Sequence, residues 1–351
     1  MSRSVRALAV PEGGFQRIAV LRLSSLGDVI LTLPVVHALR RAYPNARIEY
    51  WVKEEFAAVV RHDPAITHVR ALERGARRLE DLVSMSAELE SCDLIVDLHA
   101  NSRTRLLTLR QSAPVLRFDS RRWQRARWVH ARWTRPAPLP HVTERYAATL
   151  APLGVSADTV PCVTVPADAV EQATATLQAL TSGKPCVALA PGAMHATKRW
   201  PEERWCELEA ALAALGVGRV ILSTAAERRA LPRFAAQVAA SAGASWVTDS
   251  LERCAALLGA CAVAVTHDSG LMHLAAARGT HVVALFGSTS PVLGFAPCGP
   301  GHEVISLGLA CQPCTLHGRE RCPKRHFRCM MGIEVATMQR KCRLEIGRAH
   351  V

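Results

Sequence analysis

The stretch Arg17-Ile-Ala-Val-Leu-Arg-Leu23 runs directly into Ser24-Ser-Leu-Gly-Asp28 and then into an apolar-periodic segment that continues to Arg41. A short apolar run, a tight glycine-containing loop and a helical period read together as strand, loop, helix. The unit recurs, with Arg47–Val52, Asp93–Leu98 and Val115–Phe118 as further strand candidates. Strands alternating with helices predict a parallel sheet whose faces are covered by helices. From about residue 150 to 183 the pattern breaks: Pro152, Gly154, Pro161, Pro166 and Gly183 surround one Ala-rich helical stretch, Ala167–Ala179. The rhythm then restarts with Val187–Ala190, Val220–Ser223, Trp246–Thr248, Ala262–Thr266 and His281–Phe286 as strands. Two successive parallel α/β units are expected, at 1–165 and 166–345. They predict a cleft with ligands at the carboxyl ends of the strands.

Charge narrows the class of partner. The 351 residues carry 43 Lys plus Arg against 30 Asp plus Glu, a net +13. Residues 101–135 hold ten arginines and one acid, and residues 315–348 hold nine basic residues and three acids, so the excess sits in two segments. Such local excess points to an anionic partner: nucleic acid, a phosphorylated lipid surface or a phosphate-bearing substrate. The longest clearly apolar run, Cys254–Val265, is far shorter than the roughly 20 residues a spanning helix needs. No signal peptide is apparent before Pro11 and Glu12, and twelve cysteines, several in apolar stretches, read as cytosolic thiols.

Four loops follow predicted strands: Ser24–Asp28, Pro191–Pro201, Ser223–Arg228 and His267–His273. Each joins small residues that allow close backbone approach to one or two charged or hydroxyl side chains. None is a G-x-G-x-x-G fingerprint or a P-loop, which argues against a nicotinamide dehydrogenase and a P-loop NTPase. Asp268 or Ser269 can cap a helix through Leu271–Arg278, leaving N–H groups suited to phosphate. Asp28 and Asp268 can equally be helix caps alone, and Lys198 with Arg199 a solvated pair.

These loops, in this order and spacing, resemble the ADP-heptose:lipopolysaccharide heptosyltransferases, glycosyltransferase family 9, and the second inner-core enzyme more than the first. The resemblance is carried by RIAVLRLSSLGDVILTLPVVHALRRAYP (17–44), PGAMHATKRWPEERW (191–205), THDSGLMHLAAARGTHVVALFGSTSP (266–291) and CQPCTLHGRERCPKRHFRCM (311–330). It implies an α/β GT-B fold, two Rossmann-like domains facing across a cleft, with acceptor mainly in the first and nucleotide donor mainly in the second. It also implies inverting, metal-independent transfer of heptose from ADP-heptose to a lipid A–Kdo glycolipid. Carried over by position, Asp28 is the general base and Lys198 binds the diphosphate. Ser24, Ser25 and Gly27 shape the loop around the reacting sugar and phosphates, and Gly192, Ala193 and Thr197 belong to the donor loop. Glu227 takes the adenosine ribose, and Asp268, Ser269, Gly270, Leu271 and His273 take the donor phosphates and heptose. The residue chemistry is compatible: one carboxylate can accept the hydroxyl proton while a lysine and a helix N-terminus receive the charge developing on ADP. A related GT-B transferase with another nucleotide sugar is the alternative within enzymes.

Two further clusters remain. Arg121, Arg122, Trp123, Arg125, Arg127 and Trp128 interleave basic and aromatic residues, with Trp133 beyond. That pattern suits nucleic acid, or an anionic membrane surface with tryptophans at the interface; its place in the acceptor half favours the membrane. The expected location is accordingly cytoplasmic, peripheral on the inner face of the inner membrane, with no nucleic-acid partner. Cys311, Cys314, Cys322 and Cys329, opened by C-x-x-C, have the ligand count of a structural Zn or Fe site, with His317 or His326 able to replace one ligand; the second half lacks the usual close pair, so free thiols held by packing are the other reading. Finally, Glu345–Val351 back-translates to GAG ATC GGA AGA GCA CAC GTC, which from its second base is a common sequencing-adapter sequence. Residues 346–351 are therefore expected not to be native coding sequence.

Overall fold

The computed structural model describes residues 7–72, 79–131 and 137–348. The chain divides into two compact units: Met1–Arg122 with Pro140–Thr164, and Trp123–Leu139 with Val165–Val351. The first holds β1 (Arg17–Leu21), β2 (Arg47–Lys53), β3 (His68–Leu72), β4 (Leu94–Asp97) and β5 (Val115–Arg117), in the order β3-β2-β1-β4-β5. The second holds β6 (Cys186–Ala190), β7 (Gly218–Leu222), β8 (Ala244–Val247), β9 (Val263–His267), β10 (His281–Leu285) and β11 (Glu303–Ile305), in the order β11-β10-β9-β6-β7-β8. Neighbouring strands are parallel in both sheets. Each unit is thus a doubly wound, Rossmann-like sheet whose strand order reverses once, between β1 and β4 and between β6 and β9. Ligands of open parallel sheets bind outside the strand carboxyl ends at that reversal.

The central strands explain why the sequence pattern was readable. Ile18–Leu21 and Val263–Val265 are buried on both faces, so they appear as continuous apolar runs. In the first unit Ala19, Leu21, Trp51 and Ile95 pack against Met85, Leu89 and Leu107. In the second, Val187, Leu189, Ile221 and Val265 pack against Trp200, Trp205 and Phe234. Edge strands β3 and β11 carry no fully buried residue and were not anticipated, whereas edge strands β5 and β8 were.

Three departures from expectation bear on the site. The helical segment after β1 is two helices, Leu26–Leu31 and Leu33–Ala42. They break at Thr32, whose hydroxyl lies 2.7 Å from the Val29 carbonyl and 2.6 Å from the Tyr50 hydroxyl. Pro34 sits in the first turn of the second helix, where its missing N–H costs nothing. The Arg/Trp segment from Trp123 belongs with the second unit, not the acceptor half. Leu139 N–H bonds the Val292 carbonyl at 3.0 Å, and the Arg125 guanidinium lies 5.2 Å from the Phe295 ring centre. Trp128 is a packing residue, 8% exposed, with Nε1–H on the Ala137 carbonyl at 3.3 Å, whereas Trp123 is 85% exposed. Trp133 lies outside the described residues. The last helix, Val335–Arg348, places Ile346 against the second core.

Candidate active site

In the first unit the chain leaves β1 and turns at once into the helix Leu26–Leu31. Ser25 is its N-cap and Asp28 its third residue, so Asp28 reaches back across the first turn and is not itself the cap. Its Oδ2 receives the Ser25 hydroxyl at 2.9 Å and, more loosely, the Ser25 N–H at 3.4 Å. Arg22 meets the same oxygen at 2.8 Å. Among the described residues Oδ1 receives only the Tyr146 hydroxyl, at 3.1 Å. Burial alone would raise the Asp28 pKa, but the Arg22 guanidinium and the Ser25 and Tyr146 hydrogen bonds outweigh it and hold the carboxyl below its usual range.

Arg22 is itself fixed. It is buried, donates to the Leu98 carbonyl at 2.7 Å and lies 5.7 Å from the Tyr146 ring centre. The Tyr146 hydroxyl is pushed above its ordinary range, first by burial, which leaves it a permanent donor. From the loop after β4 comes His99, hydrogen-bonded to the Ser24 backbone and held neutral at about 4, first by burial and then by Arg22. Its Nδ1 is buried without a partner among the described residues. Loops after β1 and β4, which flank the strand-order reversal, thus converge on one carboxylate. Sequence reasoning found Asp28, Ser24, Ser25 and Gly27 but missed Arg22, His99 and Tyr146. Arg22 had a readable signal: an arginine at the end of a buried strand requires a partner.

In the second unit the loop after β6 carries Lys198, whose ammonium lies 2.8 Å from Asp268 Oδ2 in the loop after β9. Thr289, after β10, donates to the same oxygen at 2.7 Å. Lys198 is mostly buried yet keeps ammonium protons beyond the one facing Asp268. The helix Gly270–Ala277 starts beside this pair. Ser269 is its N-cap but makes no side-chain cap bond, and its Oγ is buried without a partner among the described residues. The first N–H groups of that helix are therefore available to an anion. His273 is buried, 5% exposed, within the helix.

Close packing shapes the rest of the donor loop. A Cβ on Gly192 would stand 2.1 Å from Glu227 Oε1, so a side chain there would displace that carboxylate from its present place. Glu227 Oε2 takes the Thr224 N–H and hydroxyl at 2.9 and 3.0 Å, leaving Oε1 toward Gly192. The Ala193 carbonyl accepts Arg199 Nε at 2.7 Å. Buried His267 accepts the Trp200 N–H on Nε2 at 2.8 Å and faces the Gly192 carbonyl through Nδ1 at 3.3 Å. That pair of bonds requires the neutral Nδ1–H tautomer, and burial lowers the pKa to about 3. Thr197, expected at the ligand, is 3% exposed with its hydroxyl already engaged by Ser288 and the Arg319 N–H.

The cysteines need a correction. Cys311, Cys314, Cys322 and Cys329 line one cavity with His326, but all are free thiols, and His317 is not part of that wall. Among the described residues no group of three or more His, Cys, Asp or Glu side chains is placed to hold a metal ion. Cys329 packs into the hydrophobic core, and Cys311 Sγ stands 3.8 Å from His326 Nε2. Of the two readings of the spacing, unbridged thiols held by packing fit this arrangement and a Zn or Fe site does not. Burial would raise the Cys322 thiol, but backbone N–H groups of Phe327, Lys324, His326 and Arg325 outweigh it and lower its pKa.

Residues 83–323 match the model of glycosyltransferase family 9 (heptosyltransferase). The chain is 30% identical over 320 residues to lipopolysaccharide heptosyltransferase 1 of Pseudomonas aeruginosa, spanning 85% of this chain and 86% of that protein. Among solved structures, a glycosyl transferase of family 9 from Veillonella parvula superposes with a TM-score of 0.79 at 22% identity, covering 98% of this chain and all of the other. The Escherichia coli ADP-heptose LPS heptosyltransferase II superposes at 0.73 with 20% identity, covering 96% and 100%. These likenesses show the two-domain GT-B fold; they do not separate the first from the second enzyme type.

Proposed function

Because the chain belongs to glycosyltransferase family 9, the heptosyltransferase family, we propose that it moves heptose from ADP-heptose to the inner core of lipopolysaccharide with inversion at the anomeric carbon. The observation that carries the reading is Asp28: a carboxylate kept ionised by a buried arginine, one oxygen saturated and the other holding a single donor. Oδ1 is the atom that accepts the acceptor hydroxyl proton as that hydroxyl attacks. General-base assistance of this kind contributes about 10²–10⁴-fold. Ser25 and Tyr146 fix the carboxylate plane, and Arg22 holds the position as the proton arrives.

The departing diphosphate falls to the second unit. Lys198 and the first N–H groups of the helix Gly270–Ala277 supply positive charge, in the way helix starts and lysines receive phosphate elsewhere. Those groups make a metal unnecessary for charge neutralisation, which supports metal-independent transfer. Asp268 and Thr289 hold the ammonium in place, and Glu227, with Oε1 toward Gly192, is suited to ribose hydroxyls.

The acceptor on this reading is a lipid A–Kdo glycolipid met at the cytoplasmic face of the inner membrane. Exposed Arg121, Arg122, Trp123 and Arg127 supply a basic surface with one aromatic for an anionic headgroup layer. No helix among the described residues is long and apolar enough to cross a membrane. The test is to incubate the protein with ADP-heptose and with lipopolysaccharides ending in Kdo or in one heptose, following ADP release. Acceptor-dependent release with one of them is expected. Absence of release with both, or equal release from other nucleotide sugars, would overturn the reading.

A further inference from the structure

The cysteine loop and the donor loop form one hydrogen-bonded piece. Thr197 N–H bonds the Arg319 carbonyl at 2.9 Å, and Arg319 N–H returns to Thr197 Oγ1 at 2.8 Å. The Thr197 hydroxyl meets that of Ser288 at 3.0 Å, and the Ser288 carbonyl takes the Cys314 N–H at 3.0 Å. Thr197 and Ser288 are 3% and 1% exposed, so water cannot replace these bonds. Their chain neighbours close a ring: Lys198 pairs with Asp268, and Asp268 accepts from Thr289.

Packing makes the connection stiff. A Cβ on Gly287 would meet Met330 Sδ at 2.3 Å, and one on Gly318 would meet His195 Cβ at 2.5 Å, with Gly318 at φ +113°. Backbone of the cysteine loop therefore presses on His195, two residues before Thr197, with no room for slippage. The cavity lined by the four cysteines has Thr197 and Ser288 in its wall. Anything bonded to those sulfurs meets the ring that holds Lys198.

We propose that Thr197 and Ser288 are positioning residues for the donor step, and that the cysteine-lined cavity beside them is a thiol-modification site through which the Lys198 loop is released. The proposal rests on the transferase reading above for the consequence, not for the coupling itself. The cavity, about 10 Å³, has room for no more than a water, so an electrophile reacts at the partly exposed Cys311, Cys314 or Cys322 and its adduct forces the loop open; iodoacetamide serves as the probe. A cavity sulfur attacks its methylene carbon, the S–C bond forms, the C–I bond breaks and iodide leaves.

Two measurements on the full chain test it: ADP titration by calorimetry, and hydrogen exchange of the amides at 193–199 by mass spectrometry. Thr197→Val, which keeps the shape and removes the hydroxyl, should raise the ADP Kd and the donor KM about tenfold with a smaller change in kcat. Thr197→Ser should restore both to within about twofold, which a purely space-filling role would not produce. Alkylation of the reduced protein should accelerate exchange at 193–199 and weaken ADP in parallel with carbamidomethylation of the Cys311–Cys329 peptides. The same response should persist in Cys162→Ser, which removes an exposed thiol of the other unit, and shrink in Cys322→Ser. Wild-type ADP affinity in Thr197→Val, or full alkylation of the cavity thiols with unchanged exchange, would overturn the proposal. Exchange needs neither donor nor acceptor, so a loosened loop in a protein that transfers no heptose would sink the transferase reading and leave the coupling standing.

Discussion

Asp28 and Asp268 stand on opposite sides of the strand-order reversal in two parallel sheets: Asp28 follows β1, the first strand of its sheet, and Asp268 follows β9, the counterpart of β4. Each follows the strand beside the reversal of strand order, each faces a cation at 2.8 Å, and each accepts a hydroxyl. The cations differ. Arg22 is a rigid, buried fork whose other arm is tied to the Leu98 carbonyl, so it cannot leave Asp28. Lys198 is a point charge on a flexible stem with donors to spare. The first arrangement preserves a carboxylate, and the second preserves an ammonium. On the proposed reading, one unit carries the proton acceptor and the other the receiver of negative charge.

The strongest way to break this comparison is to neutralise one member at a time. Asp28→Asn should lower turnover by about 10²–10⁴-fold and leave the ADP Kd unchanged. Lys198→Ala should instead weaken ADP by about 10–100-fold, because a charge-assisted contact to phosphate is lost and Asp268 is left without its cation. Steady-state ADP release and calorimetric titration separate the two. If both variants move the same parameter, the division of labour is wrong.

Removing Arg22 sharpens the comparison through pH. The Asp28 pKa is lowered in the folded protein, so its ionised form stabilises the fold above the unfolded value of about 3.9, and this is lost as pH falls through the lower folded value. Arg22→Gln should move the acid limb of kcat/KM to higher pH and reduce the melting temperature at neutral pH. Arg22→Lys should shift the limb less. A limb unmoved by Arg22→Gln would detach the arginine from the state of Asp28.

The smallest effects concern the Arg/Trp segment. Trp128→Ala should cost about 3–5 kcal/mol in chemical unfolding, the usual range for a buried aromatic, and Trp123→Ala within about 0.5 kcal/mol. Trp123→Ala should nonetheless weaken sedimentation with anionic vesicles if that surface meets the membrane.

The sequence was legible wherever a single local constraint chose the residue. Central strands need continuous apolar runs, so β1, β6 and β9 could be read within one or two residues; of the edge strands, β5 and β8 were legible, whereas β3 and β11 were not. Lys198, Gly192 and Asp268 stand in short connections, and Asp28 in the first turn of a helix directly after one, and the residue types and order of these segments are themselves the signal. The cysteine spacing left metal and packing both open, because it reports ligand count and not how the loop is folded: hydrogen bonds to Thr197 and Ser288 and the packing of Cys329 fix that loop. The same holds for Trp128, whose basic neighbours suggested a surface while its partner Ala137 and the contact of Leu139 with Val292 bury it.

By itself, then, the sequence determined two parallel α/β units, the loops that carry chemistry and the family to which they belong, since these follow from local periodicity and short-range order. Only the tertiary structure decided that Asp28 is held by Arg22 and Tyr146, that His99 and His267 are neutral, and that the cysteine loop braces the Lys198 loop. Tyr146 is 118 positions from Asp28, and Arg319 is 122 from Thr197. Such partners are chosen by burial, which makes a polar group costly unless it is paired, and no local pattern in the chain encodes which distant group satisfies it.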